Sequence, residues 1–150
     1  MAAQGETKKT NADFLHYCLK RCWMAEGASE EHADAVADAL MIGIRQRKLN
    51  QGLGVYEAID IVNQMKLMDI KATPEIVREG PNWAVYDGKN STGYYTVTKM
   101  AKTAIAKAKE HGIAIVFGGN HHDAGSFGAY TWLAYEEDCV AQTSNNSVPM

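Results

Sequence analysis

Residues 97–117 constrain the fold more than any other stretch of the chain. Val97, Met100, Ala101, Ala104, Ile105 and Ala108 repeat at the three- and four-residue spacing of a helix face, and the pattern ends at Gly112. Ile113-Ala-Ile-Val-Phe117 follows at once, an apolar run of strand length. A helix delivered directly into a buried strand is an αβ unit, and its strand needs a sheet to join. Upstream, Glu75-Ile-Val-Arg-Glu79 after Pro74 and Trp83-Ala-Val-Tyr86 before the turn dipeptide Asp87-Gly88 predict two more strands, close enough for a hairpin. Downstream, Gly118–Gly125 reads as a loop. Phe127, Tyr130, Leu133 and Ala134 suggest another helix, and Cys139-Val-Ala-Gln-Thr143 another strand.

The first half is helical in pattern. Asn11 is a candidate N-cap for a helix to about Glu26, with Phe14, Cys18 and Cys22 recurring every fourth residue and Leu15 and Leu19 widening the stripe. Ser29 caps a second helix whose apolar face is Ala33, Val36, Ala37, Leu40, Met41 and Ile44, with Glu30 and Glu31 in its first turn. Residues 45–54 break the periodicity, first basic and then Gly-rich, and predict a loop. Val55, Ala58, Ile59, Val62 and Met65 restore a helical stripe. The expected organisation is a disordered tail over 1–10 and a single domain over 11–150, mainly helical over 11–70, with a mixed α/β part beginning in 71–150. The expected fold class is α/β, a helical N-terminal part packed on an incomplete mixed β-sheet. So few strands leave an edge open, and a protein partner or a second copy is expected to cover it.

Composition narrows the function. At 150 residues with 46% hydrophobic and 22% charged side chains, the chain can bury a core and is not of disordered type. A net charge of −3 argues against a nucleic-acid binder. No apolar run approaches the roughly 18–20 residues that cross a bilayer. Three cysteines without framework spacing suit a cytoplasmic or other reducing intracellular compartment.

The most chemical segment is Gly118-Gly-Asn-His-His-Asp-Ala-Gly125, between a strand and a helix, where α/β proteins commonly hold ligands. His121, His122 and Asp123 could supply a general acid/base with an orienting carboxylate, or only a solvated loop that bonds its own backbone. Adjacent histidines make a poor metal site, so none is expected. Cys18 and Cys22, near His16, read as core packing rather than a redox or metal pair. Arg45, Arg47 and Lys48 could meet an anion or simply face water. Gly52 and Gly54 lack the context of a phosphate loop.

Several segments together resemble the malate/L-lactate dehydrogenases of the second type, NAD(P)-dependent oxidoreductases of 2-hydroxy acids and cyclic imines that do not use a Rossmann fold. The resemblance is carried by Glu30–Leu40, Ala72–Glu79, Ala84-Val-Tyr-Asp-Gly-Lys-Asn-Ser-Thr-Gly93, Met100–Ile113, Gly128–Tyr130 and Asn146–Pro149. It implies a non-Rossmann fold, homodimers, an NAD(P) cofactor and a small 2-oxo acid substrate. It also implies two histidine motifs, Arg-Gly-x-Asp-Ser-His-Gly and Ser-Asn-His-x-Gly. Counted without gaps, the first falls on Gln46–Gly52 and puts Gln51 in the histidine position. The second puts Asp123 there. The family's chains are more than twice this length. The resulting expectation is a truncated, catalytically degenerate accessory subunit, a pseudoenzyme with no cofactor. The alternative is an NAD(P)-dependent oxidoreductase acting on a small 2-hydroxy or 2-oxo acid and completed by another chain. In that case His121, His122 and Asp123 would be catalytic, and Gln51 and Arg47 would meet the substrate.

Overall fold

The computed structural model describes residues 9–146, so residues 1–8 of the expected tail and the Ser147–Pro149 part of the last matching segment lie outside the described residues. Asn11 opens α1 (Ala12–Ala25), its side-chain oxygen accepting from the Asp13 and Phe14 N–H groups at 2.8 and 3.3 Å. Ser29 opens α2 (Glu30–Arg45) in the same way, accepting from His32 N–H at 3.2 Å. The two helices pack on each other as a helical hairpin. α1 turns inward a stripe different from the one its spacing suggested: Leu19 and Trp23 are buried and Leu15 is half-buried, while Phe14 and Cys22 are exposed. Trp23 offers the largest apolar surface on this helix, and its contacts with the His32 and Tyr56 rings set the helix rotation.

After α2 a 3₁₀ turn at Leu49–Gln51 leads into α3 (Leu53–Gln64), which begins inside the stretch read as loop. β1 (Glu75–Gly80) then pairs antiparallel with β2 (Trp83–Ser91). The hairpin turns at 81–82, and β2 continues through Asp87-Gly88 instead of ending there. Gly88 is needed for close packing, since a Cβ on it would lie 2.6 Å from the Asn120 carbonyl oxygen. Thr92 caps α4 (Gly93–His111), which stops at Gly112 in the left-handed conformation, φ +82°. β3 (Ile115–His121) lies parallel to β2 and carries the ladder to His121, past the apolar run that predicted it. α5 (Gly128–Tyr135) follows.

The architecture is therefore α/β, a helical region on a small, open, mixed sheet of order β1-β2-β3. α4 is the crossover between the parallel strands, and Tyr86 on β2 reaches Thr103 on it, oxygen to oxygen, at 2.8 Å. The main core joins α1, α2 and the first turn of α4 through Trp23, Val36, Leu40, Ile70 and Tyr94. Cys139–Thr143 does not form the expected strand, and Val140 is fully exposed. Its backbone makes no ladder with the neighbouring edge of β3, and without a ladder an apolar run has no reason to stay extended in a sheet.

Candidate functional site

Four pieces of chain converge at one end of the sheet: the end of β2, the start of α4, the loop after β3 and the loop after α2. α4 begins against the 122–125 loop because Gly93 has no side chain. Its N–H donates to the Asp123 carbonyl at 3.1 Å, and a Cβ there would lie 2.3 Å from the His122 carbonyl oxygen. Tyr94, buried in the next position, donates its hydroxyl to the Asp123 carboxylate at 3.5 Å. That carboxylate also accepts from Gly125 N–H at 3.1 Å. Burial, helped by the facing Asp123 charge, pushes the Tyr94 phenol well above its ordinary range.

The two adjacent histidines do different work. His122 donates from Nε2 to the Leu67 carbonyl at 2.7 Å and lies 3.2 Å from Asn90 Oδ1, so it pins the loop to the segment before β1. His121 donates from Nδ1 to the His122 carbonyl at 2.8 Å. In the neutral ring this leaves the Nε2 lone pair free. His121 also lines the wide groove between α4, β3 and α5, about 1170 Å³ in volume.

Of the sequence-predicted residues, His121 ends β3 and His122 and Asp123 begin the loop after it, so the three lie together in one site. Gln51 and Arg47 are exposed on the loop after α2. Gln51 N–H donates to the Lys48 carbonyl, and its own carbonyl packs against Gly43. Arg47 stands in the left-handed conformation, φ +57°. The link between the two loops is made elsewhere, by Lys48 Nζ donating to the buried Ser126 hydroxyl at 3.2 Å and by the Gln46 side chain against Gly128. Among the described residues no three His, Cys, Asp or Glu side chains gather as metal ligands. No described helix is long and apolar enough to cross a membrane.

A third histidine, His32, was not singled out in the sequence. It is fully buried on α2, stacked on Tyr95 with ring centroids 4.5 Å apart. Nδ1 meets the Ile70 carbonyl at 2.9 Å and Nε2 meets the Thr92 hydroxyl at 2.6 Å. The carbonyl can only accept, so Nδ1 carries the proton and Nε2 accepts from Thr92. The Thr92 oxygen in turn accepts from Tyr95 N–H at 3.2 Å. His32 therefore holds the cap of α4, and through it Gly93 and Tyr94 at the site. Its signal in the sequence was its place on the inward face with Val36, Ala39 and Gly43.

The model of the malate/L-lactate dehydrogenase family matches residues 10–150. A malate dehydrogenase of Pyrococcus horikoshii is 32% identical over 140 residues, covering 92% of this chain and 38% of that protein. An L-sulfolactate dehydrogenase of Methanocaldococcus jannaschii is 31% identical over 125 residues, 82% of this chain and 36% of its own. Among solved structures, malate dehydrogenase from Entamoeba histolytica superposes with a TM-score of 0.83 at 28% identity, covering 88% of this chain and 37% of that one. The chain thus spans less than two fifths of the length of these relatives.

These matches correct the reading of a catalytically degenerate accessory subunit. The family match runs over nearly the whole chain, and His32 is intact and fully hydrogen-bonded. Gln51 and Asp123 stand at the two motif positions, and the fold keeps imidazoles at His32, His121 and His122. The family match therefore speaks against a pseudoenzyme, an accessory subunit and a chain that is not an enzyme. The expectation of no cofactor falls with them, because the dehydrogenation that names these relatives requires a hydride acceptor.

Proposed function

The chain belongs to the malate/L-lactate dehydrogenase family, and on that premise we propose that it works as an NAD(P)-dependent oxidoreductase on a small 2-hydroxy or 2-oxo acid, completed by another chain. The observation that carries this reading is the family match over residues 10–150 together with a histidine, His121, that lines a wide groove and whose Nδ1 is taken by the His122 carbonyl. The malate and L-sulfolactate dehydrogenases among its relatives suggest an acid with a second anionic group.

The residues present fit one end of the cofactor. Gly119 leaves the backbone open, with nothing within 4 Å of an added Cβ, and the walls from α4 and β3 are apolar, as a flat ring requires. No Lys or Arg lines the groove, so these walls suit the nicotinamide end rather than the pyrophosphate. When bound, the nicotinamide supplies the hydride chemistry. The chain's own part is the proton. His121 Nε2 takes the hydroxyl proton of the 2-hydroxy acid and returns it in the reverse direction. The His122 carbonyl holds the ring in the tautomer that permits this. Asp123 and Tyr94 keep the loop shaped around α4. His32 acts as a positioning residue beneath the α4 cap. The three free cysteines support a reducing compartment.

The test is an NMR titration of the histidine side chains with NADH and with NADPH. A saturable shift at His121, with His122 moving less, is the expected result. Unchanged spectra with both cofactors would overturn the reading.

A further inference from the structure

The sheet has two faces, and the fold covers only one of them. Tyr86 bonds to Thr103 of α4, and a Cβ on Gly118 would lie 2.5 Å from Met100 Sδ of the same helix, so Ala84, Tyr86 and Gly118 face α4. Side chains alternate along a strand, so Val85, Ile115 and Phe117 face the other way. Ala84 and Tyr86 are buried, whereas Ile115 is 54% and Phe117 56% exposed. β2 and β3 run parallel, and parallel strands are almost always covered on both faces. We propose that this open face is an interface between two copies of the chain, in which Arg78 of each copy lies over the partner's Phe117.

The strand register says what a second copy would meet. Val85 pairs with Arg78 on one side and Phe117 on the other, so these three form one row across the open face. Trp83 pairs with Gly80 and Ile115 and makes the next row. A Cβ on Gly80 would run into the Trp83 indole nitrogen, so that ring leans over β1 and leaves Ile115 bare. Two sheets packed face to face keep their strands roughly aligned. A two-fold axis along β2 satisfies this and carries β1 of each copy onto β3 of the other. Val85 then meets the partner's Val85, and Arg78 meets the partner's Phe117 twice over. A guanidinium on a phenyl ring is a favourable cation–π contact. Arg78 is free to make it, since it is exposed and no carboxylate lies within 4.0 Å of it among the described residues. The face is thus complementary to itself, as a two-fold interface requires. An axis across the strands would instead set the two Arg78 charges against each other. A face of three short strands is small, which places the expected dissociation constant in the micromolar range. Ile115 and Phe117 also border the groove at the free edge of β3, so the interface runs alongside the candidate site.

The experiment is sedimentation equilibrium of the whole chain across the micromolar range, with thermal unfolding as a folding control. Wild type is expected to show a reversible monomer–dimer equilibrium. Phe117→Lys sets an ammonium against each guanidinium and should weaken the dimer about tenfold or more. Phe117→Glu puts a carboxylate in the same place, opposite the guanidinium, and should weaken it less. Arg78→Glu alone should also weaken it. Arg78→Glu combined with Phe117→Lys should restore it, because the opposed charges then attract. An apolar patch that associates without this geometry would lose association equally with either charge and show no rescue. Equal weakening by Phe117→Lys and Phe117→Glu without rescue would overturn the inference. So would a wild type that stays monomeric throughout, the result expected if a different polypeptide covers this face. The dehydrogenase reading is judged separately, by the cofactor-induced shift at His121, so the two can fail independently.

Discussion

Burial between the Trp23 and Tyr95 rings holds the His32 imidazole at a pKa of about 4, below its ordinary 6.5. The Ile70 carbonyl and the charges of Asp69 and Glu31 pull the other way and offset only part of this. The unfolded chain takes up this proton near pH 6.5 and the folded chain only near pH 4. The stability linked to His32 is therefore complete above about pH 6.5, is lost as the pH falls toward 4, and levels off below that. The span corresponds to roughly 3 kcal/mol. Urea unfolding at pH 7.5 and pH 4.5 should show this loss in wild type and a smaller one in His32→Asn. Two neighbouring hydroxyls give a second contrast. Thr92 caps α4 and serves His32, so Thr92→Ala should cost about 1–2 kcal/mol. Ser91 is fully buried with no protein partner for its hydroxyl, so Ser91→Ala should be neutral or stabilising by about 1 kcal/mol in the same unfolding assay.

Helix α4 decides whether the site exists, because its first residue touches the loop after β3. Gly93→Ala would drive a Cβ into the His122 and Asp123 backbone and should cost about 1–3 kcal/mol. It should also move the His121 and His122 ring signals. Gly119→Ala meets nothing within 4 Å and should leave both stability and those signals close to wild type. At this scale the sequence was most readable where one element's own periodicity carried the information. The stripe from Val97 to Ala108 and the stop at Gly112 give α4, and the apolar run after it gives β3, which starts at Ile115 and leaves Ile115 and Phe117 exposed instead of buried as expected. It was least readable where a partner decides. The rotation of α1 depends on what Trp23 meets, and Asp87-Gly88 looks like a turn until β3 is placed beside it. Residues 139–143 look like a strand until no ladder is found for them.

For the whole molecule, the helical hairpin and the first turn of α4 hold the main core, and the candidate site lies at one end of the open sheet. The segment bearing His121 was visible in the sequence because histidine, asparagine and glycine cluster there, although its first half, to His121, continues β3 instead of forming a loop. The bonds that build the site were not visible. His32–Thr92 spans 60 residues and Lys48–Ser126 spans 78, and no local pattern encodes contacts of that separation. The groove and the free Nε2 of His121 beside it make a dehydrogenase role chemically coherent at this end of the sheet. The most direct test is malate- and sulfolactate-dependent reduction of NAD⁺ and NADP⁺, followed by absorbance. It uses the chain purified under native conditions with whatever accompanies it, and compares it with His121→Gln and His122→Gln. The expected result is turnover in wild type that drops about a hundredfold or more in His121→Gln, as for a lost general acid/base, and much less in His122→Gln. Turnover that survives intact in His121→Gln, or no reduction of either cofactor by wild type with either acid, would contradict it.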